Sequence, residues 1–291
     1  MSKLCKGAPK KKKSWKQRLF CVSLALALFC LSVVGVLQIG VWYSARSWQY
    51  WYADYPMQDI TALLSKSDKT QEDYDVLYAQ TGLTKLGVDG LLKKTDGVST
   101  ILEIQSYYFS KPTVRAEKFN PFTYLEVVDG AATFCALENG DILLSATTRV
   151  SWFRYGHAAI VVDAEKNLIV ESTVPDTKST FNLVSSFDYL ANFLVLRPKA
   201  DKDARDKVAA YAKENLVGVK YNLTAGLFTK KYGNIRKTGS HCAHLVWYAY
   251  KAFGIDLDYN GGLVVRPQEI ARSPKVELVQ TFGFHPTKLW S

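Results

Sequence analysis

The chain has 291 residues and a formal net charge of +10, of which the first eighteen residues supply +8. The remainder is only slightly basic, which gives no indication of nucleic acid as a partner. Five cysteines do not make a disulfide framework, because Cys5, Cys21 and Cys30 fall in the first thirty residues and leave only Cys135 and Cys242, open to reading as one bridge or as free thiols.

In chain order, Lys3, Lys6, Lys10 to Lys13, Lys16 and Arg18 form a basic run with no acidic residue, read as a cytoplasmic tail over 1–18. The stretch 19–42 is apolar, broken only by Ser23, Ser32 and Gln38. It meets the length of about 20 apolar residues needed to cross a bilayer. A cleaved signal has a shorter apolar region and a small-residue cleavage site. Tyr43-Ser44-Ala45 is a poor site, so the reading is an uncleaved transmembrane helix. The positive-inside rule then puts the tail beside anionic lipid in the cytoplasm and the rest of the chain outside it. Trp42, Tyr43, Trp48, Tyr50, Trp51, Tyr52 and Tyr55 suit the opposite interface as an aromatic belt.

Residues 43–115 read as this aromatic segment followed by a small helical subdomain. Its helices are broken at Ser65-Lys66-Ser67-Asp68, Gly82 and Asp96-Gly97, and it is too apolar to stay disordered. The remainder, 116–291, reads as one α+β domain. Strands are predicted over 141–145, 158–162, 168–171 and 193–197, a helix over 201–216, and a short helix after Pro267.

The chemistry centres on Cys242. Leu245, Tyr248, Ala249 and Ala252 recur at helical spacing, Ser240 is a good N-cap and Gly254 a good stop. Cys242 therefore opens a helix, where orphan N–H groups and the dipole stabilise a thiolate and an oxyanion. The alternative is a small buried hydrophobe. A nucleophile needs a base, and that base an orienting group. His241 and His244 share the predicted helix with Cys242 and point away from it, since successive helical side chains diverge by about 100°. His285 looks like a loop residue. His157 opens a buried-looking strand, where a polar ring needs a reason to be present. Pairing of 157–162 with 168–172 across a polar turn sets Ala159 opposite Glu171, and His157 then shares a face with Glu171 as a diagonal neighbour. A one-residue slip would flip Glu171 away.

Three motifs, Asn139-Gly140-Asp141-Ile142-Leu143, Gly156-His157-Ala158-Ala159-Ile160-Val161-Val162 and Ser240-His241-Cys242-Ala243-His244-Leu245-Val246-Trp247, resemble the permuted branch of the NlpC-type cysteine hydrolases, often called YiiX-like. The resemblance spans about 140–285, and Tyr78-Ala79-Gln80-Thr81-Gly82-Leu83 looks like the helical extension some members carry. It implies a circularly permuted papain-like fold with an antiparallel sheet and a nucleophile helix. Cys242 would be nucleophile, His157 base and then acid, Glu171 the third polar group and Tyr221 a pocket tyrosine. No cofactor or metal is implied. Asp256-Leu257-Asp258 starts like a calcium loop but has Pro267 at its twelfth position, and no second ligand cluster stands at zinc spacing.

The expectation is a membrane-anchored, extracytoplasmic cysteine hydrolase that cleaves an amide, with cell-wall peptide as the candidate substrate. The Cys-Ala-His run also resembles the nucleophile motif of lecithin retinol acyltransferase-like enzymes, which implies a lipid or acyl-ester substrate as the alternative. A second alternative is an inactive wall- or membrane-binding module.

Overall fold

A computed structural model describes residues 14–44, 50–118, 123–150 and 153–290. The expectations for the basic residues before Ser14, for Cys5 and for Trp48 lie outside the described residues. The first helix, α1 (Trp15–Ser44), starts earlier than the apolar stretch. Ser14 and Gln17 cap it reciprocally, the Ser14 N–H donating to Gln17 Oε1 at 3.0 Å and the Gln17 N–H to Ser14 Oγ at 3.3 Å. Within it, 15–43 is long and apolar enough to cross a membrane, and none of its apolar window is buried in the protein.

Four helices follow: α2 (Thr61–Ser65), α3 (Gln71–Thr81), α4 (Lys85–Leu92) and α5 (Gly97–Tyr108). The helices α2 and α3 end at the marked breaks after Ser65 and at Gly82, whereas α4 ends earlier, at Leu92, and Asp96-Gly97 instead opens α5. Gly82 closes α3 in the left-handed region, and Thr70 and Asp73 form a capping box at its start. These helices share a core with the sheet described below: Leu77, Val88, Ile101 and Ile104 pack in one cluster with Leu143, Ala159, Val161 and Ile169.

Among the described residues ten strands form two antiparallel sheets. The smaller contains β1 (Val114–Lys118), β2 (Thr123–Val128), β4 (Thr148–Val150) and β5 (Phe153–Arg154), in the order β1-β2-β4-β5. The larger contains β3 (Ile142–Ser145), β6 (His157–Asp163), β7 (Leu168–Glu171), β8 (Thr180–Leu183), β9 (Phe193–Pro198) and β10 (Val276–Phe282). Its order is β10-β9-β3-β6-β7-β8. The strands of the larger sheet that are nearly continuous apolar runs, β3, β6 and β9, are buried on both faces. One face meets the helices just named. The other packs on α6 (Lys202–Asn215), α8 (Cys242–Lys251) and α9 (Pro267–Ala271), with α7 (Ile235–Thr238) before α8. The molecule is thus α+β with antiparallel sheets.

The aromatic belt needs a correction. The Trp51 N–H donates to the Gly283 carbonyl at 2.9 Å, its ring meets Tyr108 and His285, and the Tyr50 ring meets Phe282 edge-on. The Tyr55 hydroxyl donates to the Ala79 carbonyl. These side chains are held by the domain, whereas Trp42, Tyr43 and Tyr52 remain exposed.

Two features aim α8. Near its end, the Tyr250 hydroxyl donates to the Gly140 carbonyl just before β3. Since Ser145, at the far end of β3, pairs with His157, a helix fixed at Gly140 directs its start toward the first residue of β6. The approach to β6 is set by Gly156, at φ +74°, where a Cβ would stand 2.5 Å from the Ser145 oxygen and 2.8 Å from the Trp290 ring. Gly156→Ala therefore meets both left-handed strain and a backbone clash, while Gly254→Ala, at φ +79° in open space, meets strain alone. Thermal unfolding should show Gly254→Ala losing about 1 kcal/mol and Gly156→Ala at least about 2 kcal/mol. Equal losses would mean that the close approach at Gly156 is not a constraint.

Candidate active site

Cys242 is the first residue of α8, as the sequence predicts, but the N-cap is His241 and not Ser240. The Ser240 hydroxyl lies 2.9 Å from His244 Nδ1 and 3.1 Å from the His241 carbonyl, so it serves its neighbours. At the start of α8 the leading amides lack intrahelical acceptors, which leaves donors beside the thiol.

His157 and Glu171 meet as the strand pairing requires. Ala159 lies opposite Glu171, and His157 Nε2 is 2.6 Å from Glu171 Oε2. The predicted register holds from Ala159 to Val161. A bulge at Val162 then shifts Leu168 opposite Asp163, which affects only the turn end. The other Glu171 oxygen accepts from Asn182 Nδ2 at 2.7 Å, and the Phe187 ring stacks on His157 with centroids 5.5 Å apart. With Nε2 occupied by the carboxylate, Nδ1 is the ring atom left for the thiol. The Cys242 thiol is coupled electrostatically to His157 and also to His241.

The electrostatics favour an ion pair. Burial alone would push the Cys242 thiol up, but the hydrogen bonds and charges of His157 and His241 outweigh it and bring the thiol from 9.0 down to about 6. Burial alone would push His157 down, and its hydrogen bonds with Cys242 and Glu171 raise it to about 10. Glu171, only 3% exposed, would be raised by burial, yet the His157 and Asn182 hydrogen bonds hold it below the usual carboxylate range. These shifts together favour the thiolate, imidazolium and carboxylate forms.

Tyr221 also comes to this site. Its backbone bridges to Ser240, and burial together with the nearby Cys242 pushes its hydroxyl well above the ordinary value. His241 departs from expectation. It is extended (φ −111°, ψ 176°) and not helical, so the 100° divergence does not apply, and its ring helps to lower the thiol. Its Nε2 is buried without a hydrogen-bond partner among the described residues. His244 is structural: Nε2 donates to the Lys231 carbonyl at 2.7 Å, Nδ1 faces Ser240, and burial pushes it down to about 4. His285 packs against Trp51, away from the thiol's partners. Asn182 and Phe187 were not legible in the sequence, since they depend on β8 and the turn after it.

Cys135 and Cys242 are both free. Cys135 is buried in the second core, its N–H donating to Gln280 Oε1 at 2.6 Å. Among the described residues no group of three or more His, Cys, Asp or Glu side chains is arranged to hold a metal. Asp256 is engaged by Trp247 Nε1 and Lys251 Nζ, each at 2.7 Å, in a turn role. Comparison of the chain with protein-family models, with curated proteins and with solved structures finds no match.

The thiolate should be measurable without a substrate. Site-resolved alkylation of Cys242 across pH should rise with a midpoint near 6. In His157→Ala the midpoint should move up by more than about one unit, toward the ordinary thiol value of about 8.5. An unchanged midpoint would remove His157 as the thiol's partner.

Proposed function

We propose that the protein is a membrane-anchored cysteine hydrolase that works by acyl transfer, as the resemblance to permuted NlpC-type enzymes implies. The observation that carries this reading is the His157–Glu171 pair, at 2.6 Å, coupled electrostatically to Cys242 at a helix start. The thiolate attacks a substrate carbonyl carbon, and the resulting oxyanion is held by the leading amides of α8. Collapse of the adduct expels the leaving nitrogen or oxygen, which takes its proton from the His157 imidazolium. Water then attacks the thioester, neutral His157 accepts its proton, and the thiolate leaves. Glu171 keeps the imidazole ring oriented and stabilises its charged form. The buried, unpartnered Nε2 of His241 and the Tyr221 side chain are polar groups available to a bound substrate.

The bond proposed first is an amide, with cell-wall peptide as the substrate of an extracytoplasmic domain. The second reading, an acyl ester carried on lipid, is favoured by one specific observation: exposed Leu223, Leu227 and Phe228 follow closely after Tyr221. An inactive binding module is disfavoured by the half-buried state of Cys242, which keeps part of its surface open.

Incubation of the full chain with peptidoglycan fragments and, separately, with phospholipids should yield a product by mass spectrometry that is absent with Cys242→Ala. Turnover by Glu171→Gln on the same substrate should fall on the order of 100-fold in kcat/KM. A product formed equally by Cys242→Ala would contradict the nucleophile assignment.

A further inference from the structure

Two loops beside the site carry an outward apolar surface that the hydrolase chemistry does not use. One is 222–234, between Tyr221 and α7, and the other is 256–265, between α8 and α9. Phe228 is 80% exposed and Leu263 63%, with Leu223, Leu227 and Tyr259 also exposed. The loops beneath these side chains are fixed to each other. The Lys231 ammonium bridges to the Asp258 carboxylate and donates to the Gly262 carbonyl. Gly226 lies so close to Leu263 that a Cβ would come within 2.0 Å of its carbonyl oxygen. Ala225, Leu257 and Val265 are buried underneath. The apolar tips are therefore held outward by a tied framework, and a contiguous exposed apolar patch of this kind marks an interaction surface.

The surrounding charge states what kind of surface it meets. Residues 218–240 contain Lys220, Lys230, Lys231, Arg236 and Lys237 and no acidic residue. The two carboxylates of the second loop, Asp256 and Asp258, are paired with Lys251 and Lys231. Apolar tips flanked by unbalanced cations match the boundary between acyl chains and anionic headgroups.

The chain leaving α1 enters the domain a short distance from the site. The loops stand over α8 from His244 to Tyr248, because the His244 Nε2–H donates to the Lys231 carbonyl and the Tyr248 hydroxyl to the Gly233 carbonyl. Tyr50 and Trp51, the first described residues after α1, share a cleft of about 190 Å³ with Ala146 and Trp290. Ala146 follows Ser145, the residue paired with His157. The chain from α1 thus joins the domain at the end of the sheet that holds His157. Only residues 45–49 intervene between Ser44 and Tyr50, at most about 20 Å of chain.

We propose that loops 222–234 and 256–265 dock into the headgroup region of the same bilayer that α1 crosses, with an anionic phospholipid surface as their partner. This rests on the loops, their charge and the reach of α1, and not on the hydrolase reading. Docking turns the start of α8 toward the membrane and brings Cys242 next to molecules held at its surface.

The test uses the full chain in vesicles of phosphatidylcholine with a minority of phosphatidylglycerol. Photoreactive benzoylphenylalanine replaces Phe228 in one variant and Phe253, exposed beyond the opposite end of α8, in another. Illumination followed by mass spectrometry should find phospholipid adducts at 228 in several-fold excess over 253. The excess should shrink when phosphatidylglycerol is omitted. Equal yields at the two positions, no lipid adduct at 228, or cross-links from 228 to a second copy of the chain in place of lipid would overturn the proposal. An unchanged Cys242 alkylation profile in both variants verifies the fold, so absent adducts count against docking. Since cross-linking needs no turnover, its failure is separable from failure of the hydrolase reading.

Discussion

A buried carboxylate, an imidazole and a thiol joined in one line form the constraint around which the rest of the structure is arranged. Glu171 and His157 belong to neighbouring strands, while Cys242 belongs to a helix packed on the sheet, so no single element supplies the site. The side chains of Ala159 and Val161 face the core shared with α3–α5, and those of Ala158 and Ile160 face the core shared with α8. His157 stands at the end of β6, where the two layers adjoin, and its ring rests on Phe187 of the one while meeting a thiol from the other. The β6–β7 register, the turn at Gly156 and the Tyr250–Gly140 hydrogen bond are separate devices with one common result. They bring three groups together that local propensity would leave apart.

Burying such groups is unfavourable unless each is matched. Desolvation is the largest influence on all three, opposing the charged form of the thiol, the imidazole and the carboxylate alike. It is outweighed because every charged group has a close partner of opposite sign or a donor aimed at it, Asn182 completing the set on the outer oxygen of Glu171. Each group sustains the next: the carboxylate favours imidazolium, and imidazolium favours thiolate. Loss of one partner leaves the others buried and unmatched, which is why effects at this site are expected to be large for small changes in volume.

Much of this was legible in the sequence, for identifiable reasons. The runs of β3, β6, β7 and β9 are apolar because these strands are mostly buried, and the pairing of β6 with β7 followed from one short polar turn between them. The break at Gly82 is read from a residue that ends a helix by its own backbone preference. The strands β1 and β8 escaped notice because they are largely exposed edge strands with no apolar alternation. Asn182 was missed with β8. His241 was misjudged because a helical geometry was assumed for a residue that is the cap, and one residue's difference in a helix boundary reversed the direction of its ring. Tyr50, Trp51 and Tyr55 have the composition of a membrane interface, yet Phe282, Tyr108 and His285 offer them protein surface, and composition alone does not distinguish the two.

The reading of Cys242 as an activated thiol turns on the state of a single proton. The most direct measurement is the protonation of His157, read from its imidazole 15N NMR shifts in the full chain across pH. The account predicts an imidazolium that persists up to about pH 10 while Cys242 is present, and a return to neutrality at lower pH in Cys242→Ala. A neutral His157 at pH 7 in the unaltered protein would contradict the ion pair, and with it the reading of Cys242 as an activated nucleophile.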